Sequence, residues 1–187
     1  MALDTRTSLI RSAESLLRSN GYSAFSFADL EKSVGIRKAS IHHHFPTKED
    51  LGVEIVQTYI SQTQEELQRI DELHVKALDR LKAFAALFQK VINDGTLPLC
   101  GALAAEMGVM PVRMQALTKR YFETHLGWLE QTINFGADKG EFSALPNARQ
   151  KAYQFLSLLE GASFVSWALR DGTALDSDVV LTMFGPG

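Results

Sequence analysis

SFADLEKSVGIRKASIHHHFPTKEDL, residues 26 to 51, is the stretch whose reading decides the fold. Ser26 is an N-cap residue type. Phe27, Ala28, Leu30 and Val34 follow it at helical spacing until Gly35 stops the pattern. A second short helix is expected from Ile36 to Phe45, ended by Pro46, which disfavours the α conformation in the residue before it. Thr47 caps the next helix, with Asp50 as an acid in its first turn. Two short helices joined by a glycine turn match a helix-turn-helix, whose second helix enters the major groove of DNA. Arg37, Lys38 and Ser40 open that helix. Arg and Lys bond guanine edges or neutralise phosphate, and a helix N-terminus with free N–H groups favours anions. Ser26, Thr47 and Lys48, at the starts of the flanking helices, are placed for phosphate contact.

His42, His43 and His44 are not expected to bind metal. Consecutive helical residues point about 100° apart, whereas shared ligation on a helix needs a spacing of three or four. Cysteine and carboxylate partners at ligand spacing are missing nearby. Ile41 and Phe45, four apart, define the buried face. That leaves two histidines, with His42 and His43 the candidates, for the DNA backbone, and His44 is expected to be partly buried.

Outward from this stretch the chain reads as helix throughout. Leu9, Ile10, Ala13, Leu16 and Leu17 form one stripe, closed by Asn20-Gly21, where glycine is the usual left-handed residue after a helix. Beyond Thr47 one stripe runs to about residue 70 and another from Leu78 to Ile92, stopped by Asn93-Asp94-Gly95. Residues 99 to 108 are small and apolar. A helix follows from Pro111 to Asp138, then one from 148 to 170, introduced by Pro146-Asn147 and ended by Asp171-Gly172. A last short helix covers 175 to 183. No run has strand period, so the fold class is all-α, with about nine helices.

The net charge of −3 over 187 residues hides an asymmetry. Residues 1 to 48 hold seven cations against four acids, a balance of +3, and the remainder holds twelve against eighteen, a balance of −6. A basic head on an acidic body points to an anionic partner for the head. No apolar run reaches the roughly 18 residues a membrane span needs. The N-terminus lacks the apolar stretch of a signal peptide, and Cys100 is the only cysteine, so a reducing cytoplasm is the expected address. No pairing at catalytic spacing and no phosphate-cradling glycine loop is found, so neither an enzyme nor a cofactor is expected.

The residues Gly21-Tyr22, Phe25-Ser26, Ala28-Asp29-Leu30, Val34-Gly35-Ile36, Lys38-Ala39-Ser40-Ile41, His43 and Phe45 to Leu51 resemble the N-terminal domain of TetR-family transcriptional regulators. The match covers about residues 6 to 52. His42 and His44 stand where the family usually carries tyrosine, and small Ala39 and Ser40 let the helix approach the groove closely. Asp138 to Phe142 and Leu158 to Ala162 resemble family segments downstream. The resemblance implies a three-helix DNA-binding domain, residues 1–46, and a helical effector-binding and dimerisation domain, residues 47–187. It implies a homodimer on a pseudo-palindromic double-stranded operator, released when a small molecule binds the body. The last two helices would form the dimer interface, with Phe155, Leu159, Ala162, Ser163, Ser166 and Trp167 as its residues. Phe84, Phe88, Met107, Met110, Phe122 and Trp128 are candidates for an apolar effector pocket. Leu97 to Glu106, with Cys100 and Glu106, resembles a segment in the branch that controls electrophile- and unsaturated-acid-detoxifying enzymes. Cys100 is therefore either a thiol sensor at a helix N-terminus or a small core residue. A dimeric repressor is the expected function. A transcriptional activator and a helical protein that binds other proteins are the alternatives, the basic head counting against the second.

Overall fold

The computed structural model describes residues 4–142, 147–170 and 176–185. Among these residues there are nine α-helices and no strand: α1 Thr5–Asn20, α2 Phe27–Val34, α3 Lys38–His44, α4 Lys48–Leu73, α5 Ala77–Asn93, α6 Leu99–Ala104, α7 Val112–Asp138, α8 Ala148–Leu169 and α9 Ser177–Leu181, the last followed by a 3₁₀ turn, Thr182–Phe184. The expected Pro146 start, the Asp171-Gly172 stop and the start at residue 175 lie outside the described residues. No described helix is long and apolar enough to cross a membrane.

The chain forms two compact units. The first takes Met1–Ser61 and Leu99–Tyr121. Within it α1 packs on α2 and on α6, and α2 packs on α3. Leu9, Leu17, Phe25, Leu30, Ile41 and Leu51 are fully shielded in its core. The element ends follow from local chemistry. Gly21 leaves α1 at φ +82°, ψ 167°, a mirror-extended conformation rather than the left-handed helical one. Gly35 ends α2 at φ +73°, ψ 27°, the left-handed geometry a non-glycine residue adopts at a cost. Phe45, ahead of Pro46, turns extended at φ −136°, ψ 101°. The run 99–108 is helical to Ala104. Beyond it the backbone tightens, with Glu106 N–H donating to Leu103 C=O at 2.9 Å, an i→i+3 bond.

The second unit takes Gln62–Pro98 and Phe122–Gly187. Here α5 packs on α8 and α9. Its core centres on Phe84, whose ring meets Phe88 at 5.5 Å, His125 at 5.2 Å, Trp128 at 5.5 Å and Phe155 at 6.2 Å between centroids. Glu141 caps α5, its two carboxylate oxygens accepting from Ala77 N–H at 2.9 Å and Leu78 N–H at 3.1 Å. Gly136 lies flat against the Phe142 ring and Ala77, where a Cβ would collide with both.

Candidate nucleic-acid interface

Helix α3 is anchored on one side. Ile41 is fully shielded and Phe45 nearly so, while Arg37, Lys38, Ala39, His42 and His43 are exposed. Ser40 and His44 are half-buried. Arg37 is the N-cap, and its carbonyl accepts from Ser40 N–H at 2.8 Å. Free N–H groups were expected at this helix start. One of them is instead engaged, with Lys38 N–H donating to the Glu31 carboxylate at 3.3 Å. A phosphate here would meet the Arg37 and Lys38 side chains rather than a fully open helix terminus.

The flanking helices carry carboxylate caps. Asp29 accepts from both the N–H and the hydroxyl of Ser26, at 2.8 and 2.7 Å, which hold its carboxyl below the ordinary range. Thr47 receives Asp50 N–H at 3.0 Å and donates its hydroxyl to the Asp50 carboxylate at 2.7 Å. Arg113 reaches the other oxygen of Asp50 at 3.2 Å. The bonds from Thr47 and then Arg113 hold the Asp50 carboxyl below its usual range. Ser26 and Thr47 remain exposed at the two ends of the motif.

The His42 ring is pinned. It packs edge-on against Phe27 at 4.9 Å, and its Nδ1 lies 3.1 Å from Pro46 C=O. A carbonyl accepts, so Nδ1 carries the proton and Nε2 is left for an outside partner. His43 and His44 meet edge-on at 5.6 Å.

The seven cations of the basic head divide sharply. Arg6 pairs with Glu54 at 2.9 Å and covers the Phe45 ring. Arg18 pairs with Glu14 at 2.8 Å and lies over Tyr59. Lys48 is half-buried, with its ammonium 4.5 and 4.6 Å from the Tyr22 and Phe25 ring centres and donating to Ser23 C=O at 3.4 Å. Desolvation, stronger than the opposing pull of Glu106 and Asp29, moves its pKa down. Arg11, Lys32, Arg37 and Lys38 are exposed and carry no ion pair among the described residues. Three of these four lie in α2, α3 or the turn between them.

The residues expected at an effector pocket fall into two groups. Phe84 and Phe88 are buried in the second unit, with Phe122 and Trp128 half-buried against the same cluster. Cys100, Met107 and Met110 belong to the first unit, and Cys100 is fully shielded at the second position of the six-residue α6. Phe84 fills core rather than lining open space. Phe88 borders a small cavity of 80 Å³, together with Ala85, Ile92, Leu159 and Ala162. A larger groove of 390 Å³ is bordered by Trp128 and by polar groups that include Gln64, Gln68, Asp71, Glu123 and Gln131. There the Trp128 indole N–H donates to Asp71 at 2.9 Å, and Asp71 pairs with Arg80 at 2.9 Å.

The dimer residues expected on α8 need correction. Phe155, Leu159, Ser163 and Ser166 are buried within the chain itself, and the Ser163 hydroxyl donates to Leu159 C=O at 2.9 Å. They are packed inside their own unit. Ala162 and Trp167 are half-buried at the flanks. The outward face carries Leu158, Val165 and Leu169, with Tyr153 nearby, all exposed.

Residues 9–55 match the model for bacterial regulatory proteins of the tetR family, and residues 77–179 match the tetracyclin repressor-like C-terminal domain. The transcriptional regulator AcuR of Cereibacter sphaeroides is 28% identical over 159 residues, covering 83% of this chain and 73% of that one. With the HTH-type transcriptional regulator CymR of Pseudomonas putida the likeness is 40% but confined to 50 residues, 27% of this chain and 25% of that protein. The crystal structure of a TetR transcriptional regulator from Legionella pneumophila superposes with a TM-score of 0.88 at 26% identity, over 98% of each chain.

Proposed function

We propose that this chain, which belongs to the TetR family of bacterial transcriptional regulators, is a homodimeric repressor that reads a pseudo-palindromic operator through α3 and leaves it when a small molecule binds the helical body. The observation that carries the DNA reading is the exposed start of α3. Arg37 and Lys38 stand free of ion pairs among the described residues, on a helix fixed from behind by Ile41 and Phe45. Ser26, Ser40, His42, His43 and Thr47 border that surface. Lys48, already engaged with two rings, contributes more to holding the motif than to touching phosphate. Function divides near residue 46, with DNA reading before it and dimerisation and effector binding after it.

The dimer reading rests on α8. A helix with an exposed apolar stripe beside its buried one needs cover for both. The inner face has it, and the Leu158, Val165, Leu169 stripe is where a second copy would supply the other. A dimer spaces its two recognition helices for successive major grooves, about 34–36 Å apart. The effector seat is the second unit, near Phe122 and Trp128. The groove of 390 Å³ beside Trp128 offers polar partners, Gln64, Gln68, Asp71 and Gln131 among them, around one indole face. Release requires the effector to favour the released state, by about 5.5 kcal/mol for a swing from 1:99 to 99:1. The helix α4, shared between the two units, is the element to carry the change. The work is done in the cytoplasm, where the operator lies.

The test is selection of duplexes from a random-sequence pool by the full chain, followed by Arg37→Ala and Lys38→Ala. Each substitution should weaken the selected duplex by about 5- to 150-fold, the equivalent of 1–3 kcal/mol for a base-reading contact. A lost phosphate contact would instead lower the salt slope by about one. Dimer and melting temperature should stay as in the parent. A pool that yields no preferred sequence, or variants that bind as the parent does, overturns the reading.

A further inference from the structure

Helices α2 and α3 have eight and seven residues. Helices this short do not hold a direction by themselves, so their orientation is set by whatever grips their ends. The grip comes from far along the chain. Glu106, half-buried in the turn after α6, accepts from Tyr22 N–H at 2.5 Å through Oε1 and from Ser23 N–H at 2.9 Å through Oε2. These two amides lie in the connection between α1 and α2, just ahead of the Ser26 cap. Two oxygens of one planar group on two successive peptides block rotation as well as separation. The fit is close. A Cβ on Gly21 would sit inside van der Waals distance of Oε1, and Gly21 already has φ +82°. Against the desolvation of its partial burial, the bonds from Ser23 and Tyr22 and the charge of Lys48 hold the Glu106 carboxyl below its ordinary range.

The other end of the motif is held from the same segment. Arg113 pairs with Asp50 at 3.2 Å in the first turn of α4, and Met114 fills the space beside Gly52, where a Cβ would strike its sulfur. Residues 106 to 114 thus grip the chain immediately before α2 and immediately after α3.

We infer that Glu106 is a positioning residue for operator recognition: its carboxylate, seated on the Tyr22 and Ser23 amides, sets the angle at which α2 and α3 meet the major groove. This rests on the reading that α3 binds DNA, and it assigns Glu106 no contact with DNA. The sign of its effect separates it from simple electrostatics. Removing a negative charge from a DNA-binding unit strengthens attraction to phosphate. Loss of the clasp weakens recognition instead.

Glu106→Gln keeps the shape and one acceptor oxygen but turns an amide NH₂ toward the second N–H. The full-length parent and variant are compared on a duplex selected by the parent and on a scrambled duplex of the same composition, below the onset of both melting curves. The expected result is a fall of about tenfold or more for the selected duplex, the scale of one charge-assisted bond. Binding to the scrambled duplex stays unchanged or slightly tighter, so the ratio of the two affinities falls. Gly21→Ala, which crowds the same oxygen from the other side, should lower the ratio too. The pair combined should lose little more than either alone. An unchanged ratio overturns the inference, and so does an equal fall on both duplexes, which marks Glu106 as holding the fold alone. If the parent selects no sequence while folding normally, the operator reading itself has failed.

Discussion

At the residue scale, Glu160 carries a stability signature that can be read by titration. Both its carboxyl oxygens are shielded from solvent on α8, and neither has a hydrogen-bond partner among the described residues. Burial pushes its pKa up to about 7 from an ordinary 4.5. In the unfolded chain the group ionises at the lower pH, so the folded state binds the extra proton between the two values. Stability contributed below pH 4.5 is therefore lost as pH rises toward 7, by about 3 kcal/mol at 1.36 kcal/mol per unit. Glu160→Gln should remove that slope: chemical denaturation at pH 8 should favour the variant by about 3 kcal/mol more than at pH 4. Equal pH dependence in both proteins would contradict the buried, unpartnered carboxyl. Nothing in Leu158-Leu159-Glu160-Gly161 announces this burial, because helical spacing puts Glu160 on a flank. Glu106 is likewise isolated in the sequence, since its partners lie 84 and 83 positions away. The three histidines were more legible: Ile41 and Phe45 fix the buried side, and His44 is half-buried beside them. The His42 ring orientation was not, because it depends on the Pro46 carbonyl.

At the element scale, helix limits were readable wherever glycine or proline punctuates the chain. Gly21, Gly35, Pro46 and Gly95 each close a helix close to where the pattern places the stop. In 99–108 the glycines at 101 and 108 do not mark the stop: the helix runs through Gly101 and ends at Ala104, ahead of Gly108. The face of α8 was the larger difficulty. Periodicity marks the helix, but apolar residues spread over more than one side do not say which side meets its own core. Phe155 and Leu159 turn inward, and Leu158, Val165 and Leu169 turn outward. A charge placed on the outward stripe should therefore act on association alone. Leu158→Glu with Val165→Glu should shift the dimer to monomer in sedimentation at micromolar protein, weakening association about 100-fold or more, since an unpaired charge would be buried. The thermal transition extrapolated to high dilution should not move. A double variant that sediments as the parent does would place the interface elsewhere.

At the scale of the whole molecule, the all-α class was legible because the 3.6-residue period runs through nearly every segment. The division into units was not, because it depends on long-range bonds that no local pattern encodes. The charge asymmetry was visible as a sum, but its meaning emerges residue by residue. Of the seven basic groups in the head, three are spent on Glu54, Glu14 and aromatic faces, which leaves four exposed: Arg11 on α1, and Lys32, Arg37 and Lys38 on α2, α3 and the turn between them. The first unit is also discontinuous, built from residues up to Ser61 and again from Leu99 to Tyr121. A fragment of residues 1–73 retains α1 to α4 but lacks Glu106, Arg113 and Met114. It should show helical circular dichroism without a cooperative thermal transition, whereas the whole chain melts sharply. The same discontinuity has a consequence for synthesis. At 5–20 residues per second, the ribosome takes about 3 to 12 s to travel from residue 61 to residue 121. Through that interval α1, α2 and α3 have been made while the contacts of Tyr22, Ser23 and Asp50 with Glu106 and Arg113 cannot yet form, so the first unit is completed only when most of the chain has been translated.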